Sequence, residues 1–198
     1  MHQSFFMRPA LASTALAAGT ILLCAFTGAD DQEIRRQTSW NAFVEASVVL
    51  RSPRCLNCHA AGEHPTQGDS LEIHNMGVVR GEDGRGSAGM RCESCHQSQN
   101  VQTIDGPPGA QDWHMPGASV PMSWQGLSVA DLCEVLIDTR RNGGRTPAQV
   151  IDHLNTGLVR WAWNPGPGRS IPPISYELFI TRMTEWQQNG AACGLTPR

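Results

Sequence analysis

Two pentapeptides of one pattern, Cys55-Leu56-Asn57-Cys58-His59 and Cys92-Glu93-Ser94-Cys95-His96, constrain this chain more than any other feature. Each is C-x-x-C-H, the attachment signature of c-type haem. Two thiols three positions apart on one turn can reach the two vinyl groups of one porphyrin and form thioethers. The following histidine can then offer its imidazole to the iron as proximal ligand. The pattern therefore predicts two covalently bound haem c groups, held by Cys55, Cys58, Cys92 and Cys95, with His59 and His96 as proximal ligands. A four-cysteine zinc site needs only the two C-x-x-C pairs, and a thioredoxin-like dithiol needs only one of them. The histidine after both pairs favours haem over either alternative.

The N-terminus supports an exported context. Met1 to Arg8 reads as a short n-region, Ala10 to Phe26 as an apolar stretch, and Thr27-Gly28-Ala29 as small residues before a cleavage site. Residues 1–29 are thus expected to be a signal peptide and residues 30–198 a dihaem cytochrome c domain in the periplasm, with no membrane span once the signal is cleaved. An uncleaved anchor is the rival reading, since about 17 apolar residues is at the short end of a membrane span. A lipid anchor at Cys24 is disfavoured by the bulky Leu23 before it.

An exported compartment permits disulfides. Beyond the four motif cysteines and Cys24, the chain has only Cys133 and Cys193. A Cys133–Cys193 bridge is therefore expected, and closing so long a loop contributes on the order of 4 kcal/mol; two buried thiols are the alternative. The chain carries 20 Gly, 13 Pro and only 6% aromatic residues, a loop-rich composition. A formal net charge of −3 argues against nucleic acid as a partner. All 15 basic residues are arginine, so no lysine ring is present for docking an acidic partner.

The fold class expected is mostly α and loop-rich, a dihaem c-type cytochrome with short helices packed around two covalent haems. A first helix is expected over 38–51, with Trp40, Phe43, Val44 and Ser47–Val48 on its apolar stripe and Pro53 at its end. Residues 60–126 lack periodicity, and a run that long without structure is unusual unless a cofactor orders it. Three helices follow. Ser128 caps the first, with Asp131 three residues on, Leu132, Cys133, Leu136 and Ile137 inward, and Gly143 as a stop. Thr146 caps the second, with Pro147 at its first position, Val150, Ile151 and Leu154 inward, and Gly157 as a stop. Ser175 caps the third, with Leu178, Phe179, Met183 and Trp186 inward and Gly190 at its end. Trp161-Ala162-Trp163-Asn164-Pro165 reads as an aromatic packing turn.

Position selects the distal iron ligands. His74 lies 15 residues past His59, and His114 lies 18 past His96, enough chain to cross a haem edge and return. Both are expected distal ligands. His153, beside Val150 and Leu154, is the alternative, ahead of Met90, Met115 and Met122. His64, five residues after His59 and followed by Pro65, reads as exposed and polar. Arg54, Arg80 and Arg91 are candidates to pair with haem propionates, with solvated surface as the other reading.

Several runs together resemble a known type. They are Arg54-Cys55-Leu56-Asn57-Cys58-His59-Ala60-Ala61-Gly62, Gln67-Gly68-Asp69, His74-Asn75-Met76, Arg80-Gly81, Gly89-Met90-Arg91-Cys92, Trp113-His114, Met122-Ser123-Trp124-Gln125-Gly126-Leu127-Ser128 and Arg141-Asn142-Gly143-Gly144-Arg145. This pattern resembles small exported dihaem cytochromes c labelled isoquinoline 1-oxidoreductase subunits. The resemblance implies a redox partner, a molybdenum hydroxylase, that passes electrons out through the cytochrome. The chain has no molybdopterin or iron–sulfur cysteine pattern, so it would be the electron-carrying subunit and not itself an enzyme. A looser similarity is to the small dihaem subunit of periplasmic nitrate reductase, whose haems are bis-His. That type has an extra histidine ahead of the first motif, where this chain has only His2. The function expected is electron relay between a redox enzyme and a downstream carrier. A small peroxidase-like haem enzyme, or a haem-based sensor with one open iron, is the alternative, which a high-spin band in the oxidised spectrum would reveal.

Overall fold

The computed structural model describes the backbone from Ala17 to Thr196 apart from Asp105, and side chains from Gly28 onward. The expected n-region and the first part of the apolar stretch lie outside the described residues. The chain divides into two compact units, residues 1–35 and 36–198. Of helix α1, Ala17–Leu50, residues 36–50 belong to the second unit and supply one wall of its core. The helix runs through Thr27-Gly28-Ala29 without a break. No helix among the described residues is long and apolar enough to cross a membrane.

The second unit is mostly α and loop-rich, with little strand. Its helices are α2 (Pro53–Leu56), α3 (Val129–Ile137), α4 (Pro147–Leu154), α5 (Gly157–Arg160) and α6 (Tyr176–Gln188). Their starts follow the expected caps. Ser128 Oγ accepts from the Asp131 amide, Ser175 Oγ from the Leu178 amide, and Thr146 forms a full capping box with Gln149. The stops differ. Helix α3 ends at Ile137, six residues before Gly143, because the buried Asn142 claims the chain beyond it. Asn142 donates to Leu136 O and Arg145 O, both at 2.7 Å, and accepts from the Arg145 amide at 2.8 Å.

The core lies where α1, α3, α4 and α6 meet. Phe43, Ala46, Val49 and Leu50 pack with Leu132, Cys133, Leu136, Val150, Leu154, Phe179, Met183, Trp186 and Trp124. The buried face of α1 is rotated from the one its hydropathy suggests. Val44 and Val48 are 39% and 42% exposed, while Ser39, Ala42 and Ala46 are buried. Small residues let neighbouring backbone approach closely. Ser39 Oγ donates to Trp186 O at 2.8 Å and accepts from the Ala192 amide at 2.9 Å. Leu178 likewise faces outward at 39% exposure. The Cys133–Cys193 disulfide is formed, with 5.3 Å between Cα atoms, and ties α3 to the segment after α6.

Residues 60–126 are more ordered than their sequence suggests. Two short antiparallel hairpins lie within them: β1 (Thr66–Gln67) with β2 (Glu72–Ile73), and β3 (Gly86–Ser87) with β4 (Met90–Arg91). Arg80 holds these loops together. It is fully buried, and its guanidinium donates to Pro116 O (2.8 Å), Gly62 O (2.9 Å), Pro121 O (3.1 Å) and Ala60 O (3.3 Å). Four carbonyls from three chain segments thus converge on one cation. Gly84 seals the same region. With φ of +77° its backbone is left-handed, and a Cβ there would lie 2.0 Å from Met115 O.

Candidate functional site

Both C-x-x-C-H segments fold into one local structure. In the first, which begins in α2, the Cys58 and His59 amides donate to Cys55 O at 3.2 and 3.0 Å. In the second, the Cys95 and His96 amides donate to Cys92 O at 3.2 and 2.9 Å. The turn puts both thiols and the imidazole of each motif within one helical turn of chain.

The two motif histidines are also held alike. His59 Nδ1 donates to Met122 O at 3.0 Å, and its ring lies flat on Trp124, with centroids 3.4 Å apart and planes 1° apart. His96 Nδ1 donates to Pro108 O at 2.8 Å, and its ring lies flat on Trp113, with centroids 4.6 Å apart and planes 3° apart. A carbonyl on Nδ1 fixes the tautomer and leaves Nε2 with its lone pair, the arrangement typical of metal-bound histidine. Burial keeps both rings neutral, pushing His59 down to about 3 and lowering His96 as well. Trp113 and Trp124 were visible in the sequence only as parts of longer runs. No spacing rule pairs them with a histidine 65 or 17 residues away, so their role emerges only from the fold.

The surroundings of the two motifs diverge. Cys55, Cys58 and His59 line a cavity that reaches the helical core. His114, Met115, Met122 and, from α4, His153 also line it. Burial pushes the Cys55 thiol up to about 12 and Cys58 up to about 11. A redox dithiol needs the opposite, a thiol pKa lowered toward neutrality. Cys95 of the second motif is exposed, and Cys92 is half-buried. The motifs are near neighbours, since the charge of Cys92 raises Cys58. They do not merge, and among the described residues no three His, Cys, Asp or Glu side chains gather as a metal-ion site. The four-thiol zinc arrangement therefore has no geometric counterpart.

His114 and His153 border the first motif's cavity, whereas His74 sits beside His96 with ring centroids 5.9 Å apart. His114 Nδ1 donates to Asp112 O at 2.5 Å and His74 Nδ1 to Asn75 O at 2.8 Å. The His153 ring makes no hydrogen bond among the described residues, and burial, followed by the charge of Arg145, pushes it down to about 4. His64 is exposed, as expected, with Nδ1 donating to Val78 O at 2.8 Å. The arginines resolve three ways. Arg54 is buried and paired with Asp69, Arg91 pairs with Asp83 at 2.8 Å at the surface, and Arg80 spends its terminal nitrogens on carbonyls. Arg80 is thus a structural staple, with only its buried Nε left without a partner.

Two orphaned atoms test whether this site fits a haem. Trp124 Nε1 and Arg54 Nε are buried donors without a partner, and both residues line the cavity beside Cys55 and Cys58. Buried donors normally find acceptors, and the carboxylates of a haem are acceptors of the right kind. The donor set of two thiols, one tautomer-fixed imidazole and largely apolar walls fits the group as well. Trp161 joins the two motifs' surroundings. It lines the cavity, meets Trp113 edge-on at 4.8 Å, and donates from Nε1 to Asn100 Oδ1 at 2.8 Å.

No family model, curated protein or solved structure matches this chain.

Proposed function

We propose that the chain is an exported dihaem cytochrome c that relays single electrons between a redox enzyme and a downstream carrier. The observation that carries this reading is the repetition of one site. Two C-x-x-C-H turns with the same hydrogen bonds each end in a histidine whose Nδ1 is tied to a carbonyl and whose face lies on a tryptophan. Covalent haem, when bound, supplies the one-electron redox couple. The chain's own residues do the rest. Cys55, Cys58, Cys92 and Cys95 provide the thioether sulfurs. His59 and His96 present neutral Nε2 atoms. Trp113 and Trp124 fix the ring planes, and the core residues around the first motif exclude water and so lower the local dielectric.

The surface position of Cys95 in the second motif supports a role in contact with a partner, because electrons enter or leave most readily where a redox group approaches the surface. The resemblance to dihaem subunits of molybdenum hydroxylases supports an enzyme of that class as the partner. Export supports the periplasm as the location, where both the thioether linkages and the disulfide are compatible with the redox environment.

The test is a pyridine haemochrome assay with intact mass on the denatured protein, made in a host with a cytochrome c maturation system. Two covalent haems per chain are expected. Changing Cys55 and Cys58 together to Ser should leave one. A chain with no covalent haem would overturn the proposal.

A further inference from the structure

We propose that the distal ligands are exchanged between the motifs: His74, which follows the first motif in sequence, ligates the iron held by His96, and His153 ligates the iron held by His59. This inference rests on the dihaem reading and reverses the pairing that chain distance suggests.

The placement of His74 is built, not incidental. The β1–β2 hairpin turns the chain back after the first motif, and the His74 amide donates to Pro65 O at 3.0 Å. The Asn75 amide donates to Gln67 Oε1 at 3.1 Å, and Met76 takes a left-handed backbone with φ of 67°. The ring then lies 5.9 Å from that of His96, centroid to centroid. Two imidazoles on opposite sides of one metal, each bound at about 2 Å, have ring centres roughly 6 Å apart. Its Nδ1 is committed to Asn75 O, which directs Nε2 to serve as donor. His74 is not among the residues lining the first motif's cavity.

That cavity holds two other imidazoles, and the geometry favours His153. Its helix is anchored by Val150 and Leu154 in the core, so the ring is carried on a rigid element. Its ring is half-buried and makes no hydrogen bond among the described residues. His114, by contrast, sits on a loop, where its Nδ1 meets the carbonyl and, at 3.5 Å, the carboxylate of the exposed Asp112.

The experiment is potentiometry followed by optical and EPR spectroscopy on the full-length dihaem protein and single variants. His59→Met and His96→Met identify which redox wave belongs to which motif. His74→Ala should move the same wave as His96→Met, and His153→Ala the same wave as His59→Met. Each Ala variant should convert one haem of two to high spin, halving the low-spin signal, and added imidazole should restore it. Restoration separates a vacated ligand position from a misfolded chain. His64→Ala should change neither wave. If His74→Ala moves the wave marked by His59→Met, the exchange is wrong. If His114→Ala and not His153→Ala produces the high-spin first haem, the assignment on α4 is wrong. Fewer than two haems in the haemochrome assay would overturn the dihaem reading instead, which keeps the two failures distinct.

Discussion

The first and second C-x-x-C-H turns share the two hydrogen bonds that close them on the first cysteine's carbonyl, yet they sit in different surroundings. The first is set against a helical core closed by α1, α3, α4, α6 and a disulfide. The second is set in a loop beside a two-residue hairpin, with Cys95 exposed. Local sequence therefore dictates the turn, and tertiary packing dictates its solvation. For the proposed haem pair that difference would set function, because burial and solvent exposure tune potential at a site of fixed ligand type. A site set against the core beside one with a cysteine at the surface would suit holding an electron away from water and exchanging it at the surface.

The largest expected effect would come from removing the tryptophan under each motif histidine. Trp124 is 6% exposed and packed into the core, so Trp124→Ala should cost about 3–5 kcal/mol. Trp113 is half-buried and outside that core, so Trp113→Ala should cost roughly 1–2 kcal/mol, mostly its stacking. Denaturant unfolding of both variants measures the pair. Equal losses would show that the two motifs share one core after all.

A smaller effect separates the arginines. Arg80→Lys removes the planar fork and leaves several buried carbonyls without donors, at a cost of about 2–3 kcal/mol. Arg91→Lys at the surface should change stability far less, since solvent screens its ion pair. Thermal melts compare them directly. An Arg80→Lys protein as stable as Arg91→Lys would mean that water already serves those carbonyls.

The smallest effect is a titration confined to the second motif's hairpin. The Arg91 side chain, then the Arg85 amide, hold Asp83 down at about 2 against an ordinary 3.8. The carboxylate's contribution is thus fully present above pH 3.8 and is lost as pH falls through 2. Carboxyl NMR should find that low value in the native protein and a rise toward the ordinary one in Arg91→Gln. An unchanged Asp83 would remove the ion pair from the account of this hairpin.

Sequence alone determined what local chemistry determines. Helix starts at Ser128, Thr146 and Ser175 are set by a side chain and an amide three residues apart, so they are readable in order along the chain. Each C-x-x-C-H turn is complete within five residues. The Cys133–Cys193 bridge followed from counting, because only those two cysteines remained. Tertiary structure decided everything that depends on residues far apart in sequence. The face of α1 was hidden because close approach by Ser39, Ala42 and Ala46 depends on fit and not on hydropathy. Arg80 read as a propionate partner or a solvated surface cation, and its role among carbonyls 18 to 41 positions away emerged only from the fold. His74 and His114 looked like partners of the motifs they follow, because chain length limits only how far a loop can reach and says nothing of its direction. The β1–β2 hairpin carries His74 to His96, and the packing of α4 carries His153 to the first motif's cavity.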